Sequence, residues 1–97
     1  MDKENRKFRE GDVIKHFKRE KADQNTSEYL YKIIGPATHT ETREQLMVYQ
    51  ALYGDHKLYV RPYDMFMAEV DHIKYPDIKQ KYRFEKHIKN VILSWWL

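Results

Sequence analysis

The feature that most constrains this sequence is a series of short runs rich in β-branched and aromatic residues, each followed by a turn signal. YLYKIIG ends at Gly35-Pro36, QLMVYQALY ends before Gly54-Asp55, and LYVRP ends at its own proline. Runs of this length and composition are typical of β-strands, and Gly or Pro interrupts regular pairing between them. The pattern predicts a mainly β fold, an antiparallel barrel or sandwich, and disfavours βαβ units.

We predict five strands and one helical turn. The first strand lies within Gly11–Lys18, and a polar loop without core-facing groups follows at Arg19–Glu28. The second strand, Tyr29–Gly35, is bulged or bent at its glycine and could continue through Ala37–Thr40. Two more strands at Gln45–Tyr53 and Leu58–Pro62, a single 3₁₀ turn at Tyr63–Phe66 and a fifth strand beginning near Met67 complete the prediction. One more short strand could lie around Tyr82–Phe84.

Alternation along the third strand divides its side chains between two faces. Leu46, Val48 and Leu52 fall on one face, and Tyr49 and Tyr53 fall on the other with Met47 and Ala51. We expect the leucine face to lie toward the core and the tyrosine face to form one wall of a pocket.

A length of 97 residues bounds the chain to one domain, because a second domain would have too little surface to bury. We divide it into a charged segment at 1–10, the β domain at 11–88 and an apolar tail at 89–97. The absence of cysteine excludes disulfides and thiolate chemistry. No stretch has the apolar length of a signal peptide or a membrane span, so we expect a soluble, cytoplasmic protein without membrane partners.

The net charge of +3 is concentrated at the amino end. Residues 1–21 hold eight Lys/Arg against five Asp/Glu, whereas residues 22–97 hold ten of each. Two interpretations are open: a solvated terminus, or a basic end that attracts phosphates.

The carboxyl end, HIKNVILSWWL, is apolar and ends in two tryptophans and a leucine. The spacing of Ile88, Val91, Ile92 and Trp95 fits a short helix, and an extended arm is the alternative. Trp95 and Trp96 need burial, so we expect them to pack against the domain or to form a homodimer interface.

Several short sequence motifs have the same order and spacing as in a known family. They are HFK at His16–Lys18, HTET at His39–Thr42, VYQALYGD at Val48–Asp55, VRP at Val60–Pro62, MF at Met65–Phe66 and YRFE at Tyr82–Glu85. On these residues the chain resembles, over residues 11–88, the small bacterial and phage domains catalogued as domain of unknown function 1653. The resemblance implies a small SH3-like antiparallel β-barrel and no established activity.

The chain departs from its relatives at three places. The loop at 19–28 lacks the Lys-Gly turn of the relatives, Tyr59 stands where they often carry Trp, and the tail passes the usual family end.

His39 and Glu41 are candidate site residues because positions i and i+2 of an extended segment share one face. Such a pair could bind a polar ligand, transfer a proton or hold a metal. The alternative is structural: both side chains hydrogen-bond the backbone and fix the turn.

Arg61 is the second candidate, because a half-buried guanidinium must be paired with a carboxylate or offered to an anion. A structural ion pair with Glu41 or Glu85 is one expectation, and anion binding is the other. The remaining candidate ligand-binding residues are aromatic or cationic neighbours on the strands, Tyr49, Tyr53, Tyr59 and Arg83.

The ordinary catalytic and metal signatures do not occur in this sequence. The five histidines lack metal-ligand spacing, the three glycines are too far apart for a phosphate loop, and no nucleophile elbow occurs. We therefore predict no catalytic residues, no metal and no cofactor, and we favour a non-enzymatic protein.

The leading hypothesis is a binding module that takes a polar anionic ligand, a nucleotide or a carboxylate, on a Tyr/Arg/His face. Three alternatives are open: a nucleic-acid-binding barrel, supported by a pI of about 9.0; a self-associating or partner-docking protein that uses its tail; and sequestration of a signalling nucleotide, since relatives occur in phages.

Overall fold

The computed structural model describes residues 6–88 as a five-stranded antiparallel sheet with two helical turns. The elements are β1 (Val13–His16), a 3₁₀ helix (Phe17–Lys21), β2 (Leu30–Thr38), β3 (Gln45–Ala51), β4 (Leu58–Pro62), α1 (Tyr63–Phe66) and β5 (Phe84–Lys86). The predicted bounds of β4 are confirmed, and β2 runs through the Gly-Pro pair as the sequence suggested.

The strand order in the sheet is β4-β3-β2-β1-β5. The register of β2 against β3 shifts between Ile33 and Gly35, which confirms the predicted bulge. Gly35 has φ 150°, a conformation that residues with a Cβ rarely adopt. Among the described residues β4 and β5 do not pair with each other, so these pairings leave the sheet open and do not close it into a barrel.

The predicted orientation of β3 is wrong. Met47, Tyr49 and Ala51 are buried, whereas Leu46 and Val48 are half-buried on the opposite face. The period of two separates the faces but does not say which one the rest of the chain covers. The covered face is the one onto which α1 and β5 fold back.

The sheet core is an aromatic cluster on that covered face. Phe66 of α1 stacks on Phe84 of β5 with centroids 4.2 Å apart and planes within 9°, and Tyr49 contacts both rings. Its buried members are Ile14, Tyr31, Ile33, Met47, Tyr49, Ala51, Phe66 and Phe84.

The segment after β1 is not the polar loop without core-facing groups that we predicted. It begins as the 3₁₀ helix, and Arg19 within it is only 6% exposed. The guanidinium of Arg19 donates to the carbonyls of Thr26 at 2.7 Å and Glu28 at 2.9 Å. A buried cation therefore organises this segment through the backbone of its second half.

The predicted fifth strand near Met67 is also wrong. The only strand-like pairing described in residues 67–83 is the bridge between Glu69 and Tyr82, and β5 begins at Phe84. YDMF forms an α-helical turn in place of the predicted 3₁₀ turn, with Met67 N–H donating to the Tyr63 carbonyl at 3.0 Å.

A second cluster, the loop core, lies outside the sheet and consists of Phe17, Val70 and Ile78 with half-buried Tyr75. Gln80 beside it is 8% exposed. Its amide Nε2 donates to the carbonyl of Tyr82 at 2.9 Å, and its backbone N–H donates to the Glu20 carboxylate.

The described part of the amino-terminal segment is folded onto the sheet core. Arg6 donates to the carbonyl of Phe84 at 2.8 Å and lies 3.7 Å from the ring centroid of Tyr82. Phe8 packs edge-on against Phe66. This corrects the solvated interpretation for Arg6 and Phe8.

The predicted apolar tail, its short helix or arm and the dimer contacts of Trp95 and Trp96 lie outside the described residues. Within residues 6–88, no helix combines the length and hydropathy that crossing a bilayer would require.

Candidate functional site

One row of polar and aromatic side chains crosses the covered face of the sheet. Tyr59 of β4 lies opposite Tyr49 of β3, and His16 of β1 lies opposite Phe84 of β5. Arg61 is two residues beyond Tyr59 and therefore shares its face. Side chains from both edges of the sheet meet here in a depression of about 230 Å³, the sheet pocket, lined by His16, Lys18, Tyr29, Tyr31, Tyr49, Tyr59, Arg61 and Phe84.

Two tyrosines of the sheet pocket have hydrogen-bond partners for their hydroxyls. Tyr49 Oη accepts a hydrogen bond from Arg61 Nε at 3.3 Å, and the hydroxyls of Tyr31 and Tyr53 lie 2.8 Å apart. Burial, and then the hydrogen bond with Tyr53, raise the pKa of Tyr31. Its hydroxyl therefore stays protonated at neutral pH, and it serves as a neutral polar group.

Arg61 does not form the ion pair that was one of our expectations. Glu85 instead accepts the backbone N–H of Tyr82 at 3.1 Å, and Glu41 is exposed in a turn. In residues 6–88 the ion-pair contact within 4.0 Å joins Lys86 to Asp12. The half-buried guanidinium of Arg61 thus has a tyrosine hydroxyl as its hydrogen-bond partner, and no carboxylate of the described residues lies within 4.0 Å of it.

His16 is a central residue of the site that our sequence analysis did not single out. Its Nδ1 accepts the backbone N–H of Lys18 at 3.1 Å, so the neutral ring carries its proton on Nε2. Burial, followed by the positive charges of Lys18, Arg61 and Arg83, lowers the pKa of His16 to about 4. The sequence feature that could have identified His16 is its position two residues after Ile14, which is fully buried on the same face of β1.

A second depression of about 270 Å³, the arginine pocket, adjoins the first. Its lining residues are His16, Phe17, Lys18, Arg61, Asp71, Lys74, Tyr75 and Arg83. Nε of Arg83 is buried without a hydrogen-bond partner among the described residues. The carboxylate of Asp71 is the acidic group in this pocket, and its Oδ1 accepts the N–H groups of Ile73 and Lys74 at 3.1 Å.

A third depression of about 490 Å³, the aromatic groove, runs between the 3₁₀ helix and the loop that follows Val70. It is lined by Phe17, Lys18, Lys21, Ala22, Glu28, Tyr29, Lys74, Tyr75, Pro76, Asp77 and Ile78. Lys18 lines all three depressions, so they form one continuous surface around this residue.

The structure brings together four of the predicted site residues and leaves three apart. Tyr49, Tyr59 and Arg61 line the sheet pocket, and Arg83 lines the adjoining arginine pocket. Tyr53 does not line either pocket, and its ring centroid lies 5.7 Å from that of Tyr31.

His39 and Glu41 lie in the turn between β2 and β3 and line none of the three depressions. His39 Nδ1 accepts the N–H groups of Glu41 at 3.1 Å and Thr42 at 3.3 Å. This geometry supports the structural interpretation of His39, the fixing of a turn. In the described part of the chain, no group of three His, Asp or Glu side chains is placed to hold a metal ion.

No curated protein and no solved structure matches the chain significantly. The sequence profile of the family described as "Protein of unknown function (DUF1653)" matches residues 12–86, which include all five strands and every lining residue of the three depressions. The match covers well over half of the 97 residues. The chain therefore belongs to the DUF1653 family.

Proposed function

We propose that this protein is a non-enzymatic binding module that takes a polar anionic ligand in the sheet and arginine pockets. The observation that carries the proposal is the convergence of Lys18, Arg61 and Arg83 on neutral His16, with no carboxylate of the described chain paired to Arg61. An anion placed there would meet three positive charges and the hydroxyls of Tyr49 and Tyr59.

The energetics favour a ligand with a phosphate or carboxylate group. A guanidinium presents paired N–H donors that match both groups, and a hydrogen bond to a charged partner contributes about 1.5 to 3 kcal/mol. Asp71 opposes such a ligand only in part, because one of its oxygens already accepts two backbone N–H groups. The net local charge is therefore positive, and it is least screened where the site is half-buried.

A binding role fits the chemistry of the site better than catalysis does. A histidine with a pKa of about 4 is a weak base at neutral pH, and the sequence offers no thiol as a nucleophile. His16 serves this proposal as a hydrogen-bond donor through Nε2.

We also propose that the sheet is an SH3-like barrel that is open between β4 and β5. The consecutive antiparallel order β2-β3-β4, the helical turn α1 and the return of β5 to β1 support this arrangement. Residues of β4 and β5 that line one pocket support a strongly curled sheet.

Calorimetric titration with inorganic pyrophosphate at low ionic strength tests the proposed function. Wild-type protein should bind, the affinity should fall as salt is added, and Arg61→Gln should weaken binding by about 10-fold to 100-fold because one charge-assisted contact is lost. Arg43→Gln, at an exposed turn position, is the matched control and should bind as wild type does.

A second readout ties the binding to its place. Bound pyrophosphate offsets the charges of Lys18, Arg61 and Arg83, so the pKa of His16 should rise and its ring signals should shift in NMR spectra. The proposal is wrong if wild type shows no binding, or if Arg61→Gln binds as tightly as wild type.

A further inference from the structure

We propose that the ligand is a mononucleotide, with its phosphate in the sheet and arginine pockets and its base in the aromatic groove. This inference rests on the proposed function and names the ligand class of the same site. The aromatic groove contributes a property that an anion alone does not need, namely a wall of rings next to the cations.

The rings of the groove come from two segments far apart in sequence. Phe17 of the 3₁₀ helix and Tyr75 of the later loop pack with centroids 4.9 Å apart. Phe17 is 5% exposed and belongs to the loop core, whereas Tyr75 is half-buried and offers ring surface to the groove. Proteins commonly bind nucleobases by stacking them on such a ring, and this contact does not depend on which base is bound.

Tyr29 joins the groove to the sheet pocket, because it lines both depressions. Its backbone has φ 66°, a left-handed conformation that is strained for an aromatic residue. Gly or Asn would adopt this conformation more readily, but the ring of Tyr29 packs against those of His16 and Tyr53, with centroids 5.9 and 5.7 Å away. This packing holds an aromatic ring at the junction where a ribose or base would pass from one depression to the other.

The charges along the surface give the ligand a direction. The sheet and arginine pockets hold both arginines and only one carboxylate, that of Asp71. In the aromatic groove the carboxylates of Glu28 and Asp77 offset most of the charge of the lining lysines, which are Lys18, Lys21 and Lys74. Carboxylates repel phosphate and accept hydrogen bonds from the amino groups of a base. The excess of cations is larger at the arginine end, so the phosphate belongs there.

The dimensions favour a small molecule over a peptide or a long nucleic acid. The aromatic groove, at about 490 Å³, falls within the usual size of a small-molecule site, roughly 300 to 1,000 Å³, and the adjoining pockets of about 230 and 270 Å³ lie just below it. The groove is bounded by a 3₁₀ helix and loops, not by an edge strand with which a peptide could pair. The carboxylates of Glu28 and Asp77 also weaken the positive potential that a strand of nucleic acid would follow along the groove.

The test compares adenosine 5′-monophosphate with ribose 5-phosphate, which carries the same phosphate but no base. In calorimetric titrations at one salt concentration, wild type should bind the nucleotide at least about tenfold more tightly, as expected for one stacked base. Tyr75→Leu keeps apolar bulk against Phe17 but removes the ring face, so the ratio of the two affinities should fall to about one.

Two further variants guard the result. Tyr29→Asn removes the other ring while suiting the left-handed backbone, so it remains informative if Tyr75→Leu does not fold, and it should also reduce the ratio. Tyr63→Leu, at an exposed position of α1 outside the groove, should leave the ratio at its wild-type value.

The outcomes separate this inference from the proposed function. If wild type binds both compounds equally and Arg61→Gln weakens both, the anion site stands and the base assignment is overturned. If neither compound binds, or if Arg61→Gln changes neither affinity, both proposals fail. A single-stranded oligonucleotide that binds more tightly than the mononucleotide would also overturn the choice of a free nucleotide.

Discussion

The sheet core and the loop core solve the same problem of holding chain segments together by different means. The sheet core buries eight apolar or aromatic residues, and Phe66 and Phe84 at its centre are 0% and 1% exposed. The loop core buries only three, and its neighbours Arg19 and Gln80 are buried polar side chains that donate to backbone carbonyls.

The difference assigns separate roles to the two regions. Burial of apolar surface stabilises the sheet by roughly 25 cal/mol for each Å² removed from water. This stabilisation is spread over many contacts and depends little on any single one. The loop core depends on a small number of hydrogen bonds, and it forms one wall of the aromatic groove. The candidate site therefore lies between the sheet, which many apolar contacts stabilise, and the loop core, which substitution of a single polar residue can destabilise.

The largest expected effect would break the sheet core. Phe84→Ala removes the ring that stacks on Phe66 at 4.2 Å and should lower the free energy of unfolding by about 3 to 5 kcal/mol, because it leaves a cavity among aromatic residues. Urea titration followed by circular dichroism measures the loss. Phe84→Leu should cost less, and equal losses in the two variants would argue against cavity formation as the cause.

The next largest effect is expected for a substitution that loosens the segment after β1 while leaving the sheet in place. Arg19→Met keeps the length of the side chain but strands the carbonyls of Thr26 and Glu28, at a cost of about 2 to 3 kcal/mol. Hydrogen exchange should accelerate in residues 19–29 before it does in β2 and β3. Arg43→Met, at an exposed position, should leave exchange unchanged. Uniform acceleration across the sheet would show that the two cores unfold as one unit.

A smaller loss of stability is expected on acidification, through His16, whose ring contacts both Phe84 of the sheet core and Phe17 of the loop core. His16 has a pKa of about 4 in the folded protein and about 6.5 when unfolded. Between these values only the unfolded chain binds the proton, so stability should fall as the pH decreases from 6.5 to 4 and then level off for this group. The cations facing His16 are Lys18, Arg61 and Arg83, and Asp71 lines the same arginine pocket.

Urea unfolding at several pH values, compared between wild type and His16→Gln, measures this contribution. The glutamine variant should lose part of the decline between pH 6.5 and 4, whereas His56→Gln, at an exposed turn position, should retain it. Parallel pH profiles for wild type and His16→Gln would contradict the assignment.

The smallest effect concerns the turn between β2 and β3, far from both cores. Arg43 is exposed and has φ 67°, so Arg43→Gly should raise the free energy of unfolding by up to about 1 kcal/mol through relief of backbone strain. Arg9→Gly, at an exposed position without a positive φ, should not stabilise the protein. Thermal unfolding of both variants distinguishes the local effect from a general tolerance of glycine.

The sequence was sufficient for most of the sheet because local alternation and turn residues determine it. The bounds of β4 and the bulge at Gly35 follow from a proline and a glycine within the strands. The orientation of β3 failed because burial depends on α1 and β5, which are remote in sequence. Only contact with Phe66 and Phe84 distinguishes the face of Tyr49 from the face of Val48.

The loop core and part of the site were harder to predict for a related reason. Arg19 and Gln80 read as solvent-exposed polar residues, and their backbone acceptors become apparent only when the chain is folded. Arg61, Tyr49 and Tyr59 could be grouped because adjacent strands bring them together. His16 joins them through a curled sheet, which alternation within one strand does not reveal.

The packing of the first described residues has a practical consequence for how this domain is produced. The family match begins at residue 12, yet Phe8 packs against Phe66, and the guanidinium of Arg6 donates to the carbonyls of Met67 and Phe84. A recombinant fragment trimmed to the family boundary would expose an aromatic ring to solvent and leave those carbonyls without their donor. We expect such a fragment to aggregate where a fragment starting before residue 6 stays dispersed.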